Sequence, residues 1–223
     1  MTSTRPATPQ DTEGLGFIHR FEKGSDGTTL LLLHGTGGDE QDLVPLGKQL
    51  APQANLLSPR GQVLENGMPR FFRRLAVGVF DEADLIQRAG ELAAFVRAAG
   101  ERYRFDSGRV RALGYSNGAN MAAALLLLDG PLLAGAALLR AVLPLEPPQL
   151  PDLSKKPVMI AAGRRDPYAE HGRVEALAAR LTLAGAAVDL RWSEADHSLM
   201  PSDFKAVAEW ISTWRSGPPA GPR

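Results

Sequence analysis

The sequence predicts one α/β domain in which a mainly parallel central sheet is flanked by helices, and three observations carry that expectation. The run Thr28 to Leu33 is almost wholly apolar, as in a strand covered on both faces. Short β candidates alternate with segments of helical period, the pattern of parallel strands joined by crossover helices. The 23 glycines and 17 prolines fall largely between the apolar runs and mark turns. A chain of 223 residues suits a single domain. We expect it at residues 15–215, between flexible segments at 1–14 and 216–223, the latter rich in Pro and Gly.

In chain order the β candidates are Phe17 to Phe21, Thr28 to Leu33, Ala54 to Ser58, Arg109 to Tyr115, Gly135 to Val142, Pro157 to Ala162 and Ala187 to Trp192. Helical period marks Ala83 to Glu101, Asn117 to Leu128, Glu170 to Ala184 and Asp203 to Arg215. In the last of these Phe204, Val207, Ile211 and Trp214 recur at three- and four-residue steps and make one apolar stripe. Gly61 to Asp81 has no clear period and reads as a loop over the site. These elements leave only about twenty residues for covering structure, so no large cap domain fits and an open, shallow site is expected beyond the carboxyl ends of the strands.

Composition narrows the function classes. Apolar residues make up 44% and charged residues 22%, the balance of a folded globular chain. Lys plus Arg (25) match Asp plus Glu (25), so no overall field gathers nucleic acid or an anionic membrane. With no cysteine, thiolate metal sites and a cysteine nucleophile are excluded. The amino-terminal segment lacks the basic and apolar regions of a secretory signal, and the apolar runs Met121 to Leu128 and Leu132 to Leu139 fall short of the roughly 18 residues of a membrane span. A cytoplasmic protein is expected.

Gly114-Tyr115-Ser116-Asn117-Gly118 fits G-x-S-x-G, a weak match alone. Its setting sharpens it, because Ser116 falls between a strand and a helix, where flanking glycines permit a turn too tight for side chains. The plainer reading is a turn serine ahead of a helix. A serine hydroxyl needs a histidine base, and of the four histidines His197 follows the last strand in the loop Ser193 to Pro201. His34 ends a strand but leads into glycines, which suits a loop-shaping role. The histidine needs a carboxylate, and Asp166 follows the strand Pro157 to Ala162. Glu194 and Asp196 are rivals, and Asp166 can also be read as a turn residue before Pro167. The chain order Ser116, Asp166, His197 is that of the α/β-hydrolase fold. Oxyanion donors are expected from the Asn117 amide and, in His34-Gly35-Thr36-Gly37-Gly38, from Thr36. That glycine run lacks a P-loop lysine and the dinucleotide spacing, and no histidine pair has a metal-ligand spacing, so neither cofactor nor metal is expected.

The chain resembles the phospholipase/carboxylesterase group of α/β-hydrolases, in particular its small bacterial carboxylesterase branch, from about Phe17 to Trp214. The resemblance rests on Leu33-His34-Gly35-Thr36-Gly37-Gly38-Asp39-Glu40, Ser58-Pro59-Arg60-Gly61, Arg70-Phe71-Phe72-Arg73-Arg74 and Gly114-Tyr115-Ser116-Asn117-Gly118-Ala119-Asn120. It implies Ser116, Asp166 and His197 as the triad, with Thr36 and Asn117 as the oxyanion hole. One departure is Ala195-Asp196 before His197, where relatives often have glycine, which bears on the rigidity of that loop. Phe71 and Phe72 are candidate acyl-pocket residues or plain packing under the loop, and Leu199 beside His197 carries the same two readings. Arg60, Arg73 and Arg74 either meet an anionic part of a substrate or form structural ion pairs. The expected activity is serine carboxylester hydrolysis of small or short-chain esters, with a thioesterase on the same triad and a non-catalytic ligand-binding module as the alternatives. The expected partner is a small-molecule ester, with neither nucleic acid nor membrane insertion. Monomer and homodimer both stand open.

Overall fold

The computed structural model describes residues 14–215. Seven strands make the main sheet: β1 (His19–Glu22), β2 (Thr29–Leu33), β3 (Asn55–Pro59), β8 (Val110–Tyr115), β9 (Gly135–Leu139), β10 (Pro157–Gly163) and β11 (Ala187–Ser193). The helices are α1 (Val44–Leu50), α2 (Glu82–Tyr103), α3 (Asn117–Leu128), α4 (His171–Leu183) and α5 (Pro201–Arg215). Between β3 and α2 lie two hairpins, β4 (Val63–Glu65) with β5 (Met68–Arg70) and β6 (Arg74–Ala76) with β7 (Val79–Phe80). The main sheet runs β1-β3-β2-β8-β9-β10-β11, antiparallel only where the edge strand β1 meets β3.

The apolar run of β2 works as expected of a strand buried on both sides. Leu31 and Leu33 join the core shared with α2, α3 and α4, while Leu30 and Leu32 join the one shared with α1 and α5. All four leucines are fully buried, and each such side chain contributes about 1.5–3 kcal/mol on leaving water. Helix α3 is apolar on every side from Met121 to Leu127 and is buried throughout that stretch, as befits the helix packed at the centre of the sheet.

Most expected element ends fall within two residues of those observed. The largest miss is β9, which stops at Leu139 rather than Val142 because Arg140 turns to φ 60° and takes the chain off the sheet. Gly61 to Asp81 is a correction as well, since the expected loop holds the two hairpins. The first turns on Asn66-Gly67, with φ of 51° and 81°, the left-handed pair that a tight hairpin requires. Helix α1 went unanticipated because it is short and contains Gly47. A Cβ there would stand 3.1 Å from Leu32 and 3.2 Å from Leu56, tighter than an ordinary contact, so a side chain at that place would have to displace those leucines by a few tenths of an ångström. The expected flexible segments at 1–14 and 216–223 lie outside the described residues, Gly14 excepted. Among the described residues no helix is long and apolar enough to cross a membrane.

Candidate active site

Strand β8 delivers Ser116 at its carboxyl end, where the serine adopts φ 53° before α3 begins. The two glycines of the turn are steric requirements. A Cβ on Gly114 would lie 2.6 Å from the Ala119 Cα, and one on Gly118 would lie 2.1 Å from the Leu33 carbonyl oxygen. A non-glycine residue held at positive φ stores on the order of 1–3 kcal/mol, sustained here by the burial of α3 against the sheet.

The hydroxyl of Ser116 lies 2.8 Å from His197 Nε2, and His197 Nδ1 donates to Asp166 Oδ2 at 2.8 Å. Three strand ends, those of β8, β10 and β11, thus bring together residues distant in the chain. The other oxygen of Asp166 accepts from the Tyr168 N–H at 2.8 Å. Burial pushes the Asp166 carboxyl up, but its hydrogen bonds from His197 and Tyr168 and the positive charge of Arg140 carry it below the ordinary carboxylate range. It is therefore a carboxylate at neutral pH, and an acceptor-only partner fixes the imidazole proton on Nδ1 and leaves Nε2 free to take the serine proton. Neither Glu194 nor Asp196 takes that place. Asp196 instead accepts from the Ser198 N–H at 2.8 Å.

Thr36 and Asn117 border the same cavity of about 310 Å³ as Ser116 and His197. As the first residue of α3, Asn117 has a main-chain N–H without an intrahelical acceptor. Its side-chain oxygen accepts from the Phe71 N–H at 2.7 Å, tying the first hairpin to the elbow. Thr36 is held through Oγ1, which accepts from Arg70 Nη1 at 2.7 Å. The loop is braced by buried His34, whose Nδ1 donates to the Gly35 carbonyl at 2.7 Å and whose Nε2 accepts from the Gly61 N–H at 2.9 Å.

Burial holds the His34 imidazole below its usual titration range, outweighing the Gly35 carbonyl and Asp42, which act the other way. The unfolded chain takes up a proton near about pH 6.5 that the folded chain resists, so this group removes stability as pH falls. The wild type's stability advantage over His34→Gln, read from denaturant midpoints, should shrink from about pH 8 to about pH 5. An advantage constant across that range would contradict it.

Position corrects the substrate-binding role expected of Phe71, Phe72 and Leu199 and decides the two readings left open for the arginines. Phe71 is 3% and Phe72 0% exposed, with Phe71 packed on His34 and Phe72 edge-on to Phe80, so neither ring lines the cavity. Leu199 packs half-buried on the α1/α5 side of the sheet, also outside the lining. Arg60 forms a fork with Glu40 at 2.5 and 2.9 Å, and Arg73 pairs with Asp81 at 2.7 Å. Arg74 pairs with Glu65 at 2.9 Å and alone of the three borders the cavity. Sequence reasoning passed over Tyr115, Tyr168, Arg70 and Arg140, which also border it. The first three adjoin motif residues already singled out, whereas nothing in the sequence flags Arg140.

Comparison with known proteins finds hydrolases similar to this chain. The family model described as Dienelactone hydrolase family matches residues 76–209. The chain is 47% identical over 192 residues to MhqD of Bacillus subtilis (strain 168), provisionally designated a hydrolase, covering 86% of this chain and 96% of that one. It superposes on the crystal structure of the Bacillus cereus carboxylesterase with a TM-score of 0.86 and 46% identity, over 88% of this chain and 94% of the other. The carboxylesterase from Mesorhizobium loti is similar at a TM-score of 0.83 and 32% identity, over 92% and 97% of the two chains.

Proposed function

This chain belongs to the dienelactone hydrolase family, and from that premise we propose that it is a serine carboxylester hydrolase acting on small or short-chain esters through an acyl-enzyme. The observation that carries the reading is the unbroken pair of 2.8 Å hydrogen bonds from Ser116 through His197 to Asp166. The solved relatives named carboxylesterases support it.

In this reading Ser116 Oγ attacks the ester carbonyl carbon while His197 Nε2 takes the hydroxyl proton. The N–H groups of Thr36 and Asn117 stabilise the oxyanion of the tetrahedral intermediate. The intermediate collapses, the alkoxide leaves with the proton returned by His197, and the acyl group stays on Ser116. Water then attacks, His197 takes its proton, and the acid is released as Ser116 regains its hydrogen. Asp166 remains ionised throughout and balances the imidazolium.

Substrate size is argued from the covering structure. The covering structure is two short hairpins, and a cavity of about 310 Å³ whose wall sets Arg70, Arg74 and Asn120 beside Val77 and Phe80 supports a short acyl chain rather than a long one. With p-nitrophenyl esters, kcat/KM should be highest for acetate or butyrate and fall steadily to palmitate. Preferred turnover of palmitate would contradict the size argument, and no turnover of any ester would contradict the function.

A further inference from the structure

Three consecutive carbonyl oxygens in the loop that carries His197 are held by side chains from two strand ends. The Asp196 oxygen accepts from Arg140 Nε at 3.1 Å and the Ser198 oxygen from Arg140 Nη2 at 2.8 Å. Between them, the His197 oxygen accepts from the Tyr115 hydroxyl at 3.0 Å. The start of the loop is held separately, where Arg165 Nε donates to the Glu194 carbonyl at 2.8 Å and the Arg165 N–H to the Ala195 carbonyl at 3.0 Å. Of Glu194 to Pro201, Ala195 alone is fully buried, so apolar packing supplies few anchors.

Arg140 is built for this task. It follows β9 at φ 60°, with its side chain 0% exposed. Nη1 donates to the Ala161 carbonyl at 3.2 Å and to Asp203 Oδ1 at 3.1 Å, and Nη2 donates to Asp203 Oδ2 at 2.6 Å. With the bonds to Asp196 and Ser198, all five N–H groups of the guanidinium have acceptors. Although Arg140 borders the cavity, it has no donor left for a substrate. Asp203 neutralises the buried cation and also accepts from the Met200 N–H at 2.7 Å, which closes residues 196–203 around one planar group. A lysine has three donors from one point and cannot span these acceptors.

We propose that Arg140, assisted by Tyr115, is a positioning residue for catalysis, clamping the backbone on both sides of His197 so that its Nε2 stays aligned with the Ser116 hydroxyl. This rests on the reading of His197 as the general base. The Asp166 bond orients the imidazole ring, whereas the clamp fixes the backbone from which the ring is hung. Rate is sensitive to displacements of about 1 Å at a reacting group, so a loosened loop lowers kcat while leaving substrate binding in place.

The test compares full-length wild type, Ser116→Ala, Arg140→Lys, Arg140→Ala and Tyr115→Phe on p-nitrophenyl acetate, with thermal melts to establish folding. Folded Arg140→Lys should lose about 100-fold in kcat with little change in KM. Guanidinium ion at millimolar concentration should restore part of the kcat of Arg140→Ala without affecting wild type. A purely structural anchor would lower the melting temperature, leave the kcat of the folded protein unchanged and show no rescue, and that result overturns the proposal. Should the Arg140 variants fail to fold, Tyr115→Phe decides: a lower kcat at constant KM supports the clamp, and an unchanged kcat overturns it. A wild type without turnover sinks the functional reading and the proposal together, whereas an active wild type beside equally active Arg140 and Tyr115 variants sinks the proposal alone.

Discussion

Ser116→Ala should lower kcat toward p-nitrophenyl acetate by about 10⁶-fold while leaving a folded protein that still binds substrate. The substitution removes the hydroxyl that lies 2.8 Å from His197 Nε2 and that, in the proposed mechanism, attacks the carbonyl and hands over its proton. Alanine at φ 53° bears the same backbone strain as serine, so the elbow itself is unchanged. The Thr36 and Asn117 amides proposed as oxyanion donors are untouched, and a residual rate about 10³–10⁴ above that in water is expected from them. Steady-state kinetics beside a thermal melt reads both halves of this result. Loss of activity together with loss of fold would instead mark Ser116 as structural.

The second large effect is expected from Asp166→Asn, which should reduce kcat by about 10⁴-fold at neutral pH. The Tyr168 N–H donates to one oxygen of Asp166 at 2.8 Å and would hold the carbonyl oxygen of an asparagine in that place. The amide NH2 would then face His197 Nδ1, where the carboxylate now accepts at 2.8 Å. A donor there forces the imidazole proton onto Nε2, so the nitrogen facing Ser116 can no longer take a proton. Because asparagine has nearly the shape of aspartate, the folded geometry should persist, and the kinetic loss should appear in kcat with KM little altered. A variant within about tenfold of wild type would show that tautomer control by Asp166 is dispensable.

What could be read from the sequence follows from how local each constraint is. The strands β2 and β10 are buried on both faces, which writes them as continuous apolar runs, β8 is interrupted by the half-buried Arg111, and the carboxyl ends of β8 and β10 mark where Ser116 and Asp166 stand. The elbow glycines were legible because a tight turn admits few side chains. The hairpins between residues 63 and 80 are two or three residues per strand, too short for an alternating pattern, and Asn66-Gly67 is the one local turn signal within the first of them. Phe71 and Phe72 illustrate a different limit. An aromatic pair above a site can face the ligand or the core with the same sequence, and here the Phe71 N–H reaches Asn117 while both rings turn inward. Arg140 was illegible for a third reason: its partners lie 21 to 63 residues away in the chain, and no local pattern encodes them.

Treatment of the folded wild type with a fluorophosphonate, followed by peptide mass spectrometry, asks most directly whether Ser116 is an activated nucleophile. One adduct on Ser116, absent from Ser116→Ala and formed far more slowly in His197→Ala, is the expected result. A folded wild type that takes up no reagent, or carries it on another residue, would contradict acyl transfer through this serine.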